Sequence, residues 1–194
     1  MKQLFTPLLY LKIQNPVKRH FDLKIPLAVS SIITVLFFFA NRDLSVVLTD
    51  GGVITSIKRL LQILAGFFIA SLAAIATFSN ESIDKPLSGE PAKLYHHKYK
   101  NEPEILTRRR FLTFLFGYLS FSSIMIYLAL SSIKVFDLAL NKIFSLGQNQ
   151  ALILSWIIFA GFCFWFFNII ITTLLGLHYL TERIHRPEQN PRIE

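Results

Sequence analysis

The sequence predicts an all-α membrane protein with four transmembrane helices, arranged as two helical hairpins with both termini on the cytoplasmic side. Three observations predict it. The chain is 53% hydrophobic, high for a soluble protein of 194 residues. Its apolar residues come in blocks. There are 17 residues without an acid or base between Lys24 and Arg42, 21 between Arg59 and Glu81, and 23 between Arg110 and Lys134. Between Lys142 and Glu182 run 39 more, with His178 the one group that titrates near neutrality. A bilayer-spanning helix needs roughly 20 apolar residues, so four spans are the natural count. Finally, if the amino-terminal stretch, the middle loop and the tail share one side, that side holds 15 of the 20 Lys and Arg residues. The positive-inside rule then places it in the cytoplasm. The formal charge of +8 is thereby explained by membrane orientation, and direct nucleic-acid binding is not expected.

In chain order, residues 1–24 read as a cytoplasmic, interfacial basic segment. Leu4, Phe5, Leu8, Leu9 and Leu11 form a short apolar face, Pro7 suits a first helical turn, and Asn15-Pro16 breaks it. Lys12, Lys18, Arg19 and Lys24 are expected among anionic headgroups. No small residue stands at Phe38 to suit cleavage near Ala40, so the first span reads as a retained anchor. Residues 25–78 form the first transmembrane hairpin, turning at Asp50-Gly51-Gly52. On its second helix Gly66, Ala70 and Ala74 recur at spacing four. In lipid, small residues allow the close backbone approach that supplies dispersion contact. This stripe is expected to face another helix, in the same subunit or in a neighbour.

Residues 79–110 form the cytoplasmic loop. Pro86, Gly89 and Pro91 oppose continuous helix, the basic and aromatic run KLYHHKYK follows, and Thr107 is placed to cap the next helix. Lys93, His96, His97, Lys98, Lys100, Arg108, Arg109 and Arg110 are the residues expected to meet a partner or lipid headgroups. Residues 111–181 form the second transmembrane hairpin. Between its spans, residues 134–150 are either an interfacial helix or a continuation of the third span. Asn168 is the most polar side chain well inside a span and falls near the depth of Tyr118. An interhelical hydrogen bond is the preferred reading of that pair; a polar constriction around an oligomer axis is the other. Residues 182–194 form a charged cytoplasmic tail.

Chemistry is sparse. Charged residues inside spans mark ion pathways and proton relays, and the central span positions carry none. Adjacent His96 and His97 lack the helical spacing and companion ligands of a zinc site. Cys163 is the single cysteine, so no disulfide framework exists. No phosphate-cradling glycine loop or nucleophile elbow occurs. A non-enzymatic protein with no cofactor and no metal is expected. Three function classes follow: an oligomeric anchor or sensor that presents its loop to a soluble partner, a small channel or membrane-permeabilising effector, and an enzyme or transporter, which the uncharged spans disfavour.

The architecture resembles the small four-span membrane subunits of bacterial anti-phage systems, the Kiwa membrane subunits among them. The likeness lies in the two outward hairpins, the basic loop from Asp84 to Arg110 and the length just under 200 residues. It implies a homo-oligomer in the bacterial inner membrane that responds to phage at the envelope. It also implies a soluble, DNA-associated partner held at the cytoplasmic face.

Overall fold

The computed structural model describes residues 2–14, 16–40, 52–77, 81–86, 92–94, 103–144 and 148–183. A 3₁₀ segment, Lys2–Lys12, leads into α1 (Pro16–Arg19), a π-helical turn (His20–Lys24) and α2 (Ile25–Ala40). Then come α3 (Val53–Thr77), the short α4 (Glu81–Asp84), β1 (Lys93–Leu94), β2 (Glu104–Ile105), α5 (Arg108–Phe144) and α6 (Gln148–His178), which ends in a second π turn, Tyr179–Arg183. Four helical stretches are long and apolar enough to cross a membrane: His20–Ala40, Val53–Thr77, Arg108–Ser132 and Leu152–Thr181. The protein is an all-α bundle and a multi-pass membrane protein. Helix α5 runs unbroken through Lys134 to Phe144, so this stretch continues the third span as helix.

The third span is the centre of the bundle. Of its most apolar window 56% is buried, against 11% for the first span. The sequence explains how it serves two neighbours. On α3 the buried residues Ile54, Leu61, Phe68 and Ile75 recur every seven positions, with Ile57, Leu64 and Leu72 partly buried between them. On α5, Leu112, Phe116, Leu119, Ser123, Ile126 and Leu130 are buried in alternating steps of four and three. Both patterns follow a seven-residue repeat, which keeps a seam between paired helices in register. Phe68 and Phe116 meet across it, ring centroids 6.1 Å apart. The other buried side of α5, carrying Phe111, Leu115 and Tyr118, receives the 3₁₀ segment and α6.

Helix α2 takes α6 as its main partner. Phe37 packs on Phe159 and Phe38 on Trp156, at 5.6 and 5.3 Å between centroids. Helix α6 approaches α5 closely at Gly176, where an added Cβ would stand 2.9 Å from Leu115 Cδ2. Gly66 is different, with nothing within 4 Å of an added Cβ. It shares an exposed face of α3 with Ala70 and Ala74. The small-residue stripe therefore packs on no other helix of the same subunit among the described residues, because the larger residues of the heptad occupy that seam.

Candidate functional site

The amino-terminal segment packs on the bundle, with Lys12, Arg19 and Lys24 exposed. The 3₁₀ segment lies against α5, with Pro7 beside Gly117. Tyr10 is fully buried, stacked on Tyr118 at 5.1 Å and tilted against Phe111 at 6.2 Å. After the break at Ile13 and Gln14, helix α1 and the π turn carry Lys18 and Asp22 one turn apart. Lys18 Nζ lies 3.0 Å from Asp22 Oδ2 and 4.3 Å from the centre of the Tyr10 ring. Lys18 is 6% exposed and Asp22 9%. Lys18, expected among lipid headgroups, is thus enclosed by the bundle.

The rest of the chain completes the cluster. The Tyr10 hydroxyl donates to Asp22 Oδ1 over 3.0 Å, and the Thr172 hydroxyl donates to the same oxygen over 3.2 Å. The Asn168 amide donates from Nδ2 to the Asp22 backbone carbonyl at 2.6 Å. Tyr118 Oη donates to Asn168 Oδ1 at 2.8 Å. The Asn168 bond to Asp22 has a local cause. In an α-helix the carbonyl of Asp22 would receive the N–H of the residue four positions on, but that residue is Pro26, which has none. Asn168 supplies the missing donor. The π turn around Asp22 fits the same disruption, since such turns occur where the regular ladder is interrupted.

Depth gives the cluster its interest. Tyr118 lies ten residues into α5 from Arg108, and Asn168 ten residues from His178, so each stands about 15 Å from that end of its helix at ~1.5 Å per residue. Asp22, the third residue of the first span, lies outside the central span positions and alongside Asn168. Burying an ion pair costs several kcal/mol per ion before pairing. Here the ammonium, two hydroxyls and an aromatic face offset that cost. Tyr10 stands outside the four spans; burial first, and then the Asp22 carboxylate, push its phenol well above the ordinary 10.0, so it remains a donor.

The same end of the bundle holds the roots of the central loop. Arg109 grips Asp84 through Nε and Nη2, at 2.7 and 3.0 Å, and donates from Nη1 to the Ile75 carbonyl at 2.7 Å. It thereby joins α4 to the C-terminal turn of α3, whose last carbonyls have no partners within the helix. The guanidinium holds the Asp84 carboxyl below its ordinary 3.8. Arg110 pairs with Glu104. Thr107 Oγ1 accepts the Arg110 N–H at 3.4 Å, capping α5. Strands β1 and β2 pair antiparallel, and Gln14 bridges Lys93 through two backbone bonds, 2.9 and 3.2 Å. Phe111 packs on Tyr179 at 5.3 Å. The amino-terminal segment, the loop roots and the end of α6 thus gather at one end of the bundle.

The residues singled out from sequence are distributed unevenly. Asn168 and Tyr118 are bonded to each other. Gly66, Ala70 and Ala74 are apart from them on the exposed face of α3. Lys93 is exposed on β1. Arg108 lies in the first turn of α5, where Arg109 and Arg110 are engaged within the chain. His96, His97, Lys98 and Lys100 lie outside the described residues. Sequence reasoning passed over Asp22 and Tyr10 and placed Lys18 among headgroups, although Lys18-x-x-x-Asp22-x-x-x-Pro26 held a signal: an ion pair at helical spacing set against a missing N–H. Among the described residues no three His, Cys, Asp or Glu side chains come together as a metal site would require. Comparison with protein-family models, curated proteins and solved structures finds no match to this chain.

Proposed function

We propose that the protein is a non-enzymatic, oligomeric sensor or anchor of the bacterial inner membrane. In this reading both termini are cytoplasmic, and the basic central loop recruits a soluble cytoplasmic partner in anti-phage defence. One observation carries it: the described parts of the loop are fastened by contacts with the rest of the chain. Asp84 is held by Arg109, Glu104 by Arg110, and Lys93 by Gln14. A long loop positioned by a rigid scaffold is the usual arrangement of a binding element. Anionic headgroups would meet the remaining basic residues of the same end.

The exposed stripe of Gly66, Ala70 and Ala74 supports assembly through a second copy, because small residues on a lipid-facing helix permit close approach of another. The polar groups of the spans support an anchor over a pore, since Tyr118, Asn168, Thr172 and Asp22 bond to one another within the subunit. Co-purification tests the reading. Lys98→Glu combined with Lys100→Glu should lose the soluble partner while leaving the protein in the membrane fraction. Unaltered capture would remove the loop from the function.

A further inference from the structure

We infer that residues 2–24 form a strap that couples the buried Lys18–Asp22 pair to the central loop, so that disrupting the pair loosens the strand carrying Lys93. The inference rests on the docking role proposed for the loop and names how that role is regulated.

The strap touches both places within a few residues. Gln14 exchanges two backbone hydrogen bonds with Lys93, and Lys18 follows four residues later. Lys93 itself opens β1, which pairs with Glu104 and Ile105, and begins the basic run KLYHHKYK. Three residues separate Gln14 from Lys18, so a shift at Lys18 is passed on to Gln14 over a short length of chain.

The strap has little hold of its own. Eleven residues of 3₁₀ helix are far more than that geometry usually sustains, because its hydrogen bonds are poorer than those of an α-helix. Its seat comes from outside: Tyr10 against Phe111 and Tyr118, Asp22 against Thr172 and Asn168. The ionic contact differs from the apolar ones in its response to damage. Losing a methyl group leaves a gap, whereas losing either charge breaks the 3.0 Å ion pair and leaves its other member enclosed without it, and that state is relieved when the strap lifts toward water. Two arrangements follow, seated and lifted, and both the pair and the bridge bias the choice between them, which is the physical requirement for coupling two sites.

Amide hydrogen exchange on the full chain in lipid nanodiscs tests this. Lys18→Met and Asp22→Asn should each speed exchange at residues 92–94 and 104–106 by about tenfold or more, while residues 113–130 stay protected. The Lys18→Met/Asp22→Asn double variant, neutral again, should return to within about threefold of the parent. Unchanged exchange at 92–94 in both single variants overturns the coupling. So does equal acceleration throughout the spans, which would make the pair a general support of the bundle. Gln14→Pro removes the shorter of the bridge's two bonds without touching the pair: loop exchange should rise, and Asp22→Asn should then add less to it than in the parent. Additive effects overturn the inference. Faster loop exchange with undiminished partner capture would leave the strap standing and sink the docking role.

Discussion

The two halves of helix α6 are held by opposite means. Toward its C-terminal end, Asn168, Thr172 and Gly176 meet a carbonyl, a carboxylate and the close side chain of Leu115. Toward its N-terminal end, Trp156 and Phe159 meet Phe37 and Phe38, and the groove between the helices there, floored by Val35, Ile153 and Ile157, stays open. The first half is directional: each donor has one acceptor, so one arrangement satisfies the set. The second half is adhesive, and aromatic rings slide with small changes in energy. Register between α2 and α6 is therefore set at the Asp22 end, and the far end follows.

Substitutions can break this contrast in order of size. Asp22→Ala breaks the buried ion pair with Lys18 and should cost about 3–5 kcal/mol, measured as loss of thermal stability in detergent. Gly176→Val comes next. Its side chain must displace Leu115, and overpacking of this kind costs roughly 1–3 kcal/mol. Its counterpart Gly66→Leu has open space around it and should leave the unfolding temperature of the subunit unchanged while lowering its oligomeric state on native electrophoresis. An unchanged oligomer would count against the stripe. Trp156→Ala, in the adhesive half, should cost roughly 0.5–1.5 kcal/mol beyond its lost area, through its ring pairs.

The smallest effect is that of acid on the loop root. The Asp84 carboxyl titrates below 3.8 when paired with Arg109. A lowered folded value means that the pairing stabilises the root fully above pH 3.8 and loses that contribution as pH falls through the lowered value. Asp84 is exposed, so the change should show only locally, as faster proteolysis or exchange at residues 81–86. Arg109→Lys should reproduce part of it at neutral pH, since an ammonium cannot grip both carboxylate oxygens as a fork.

Much of the fold was legible in the residues, and the limits have physical causes. Four apolar blocks of membrane length announce four spans, and Thr107 announces the start of α5, because both signals are local. The shared depth of Asn168 and Tyr118 followed from counting residues along antiparallel helices. The pairing of α2 with α6 was not legible, since apolar faces in lipid carry no label for their partners. Gly66, Ala70 and Ala74 drew attention as a packing stripe, yet on the same helix Ile54, Leu61, Phe68 and Ile75 fill the seam with α5. A heptad of large residues and a tetrad of small ones coexist on α3, and only tertiary structure separates their roles. Asp22 was obscured by its company: a carboxylate among Lys18, Arg19 and Lys24 reads as part of a solvated face until its distant partners are known.

The bond from Asn168 to Asp22 joins residues 146 positions apart. A ribosome working at about 5–20 residues per second needs roughly 7–30 s to make that interval. Throughout it, the first helix waits in the bilayer beside a carboxylate whose partners on the fourth span have not yet been synthesised. Its early residence is provisional, and a nascent chain halted after the third helix would expose that unfinished state to the proteases that police membrane insertion.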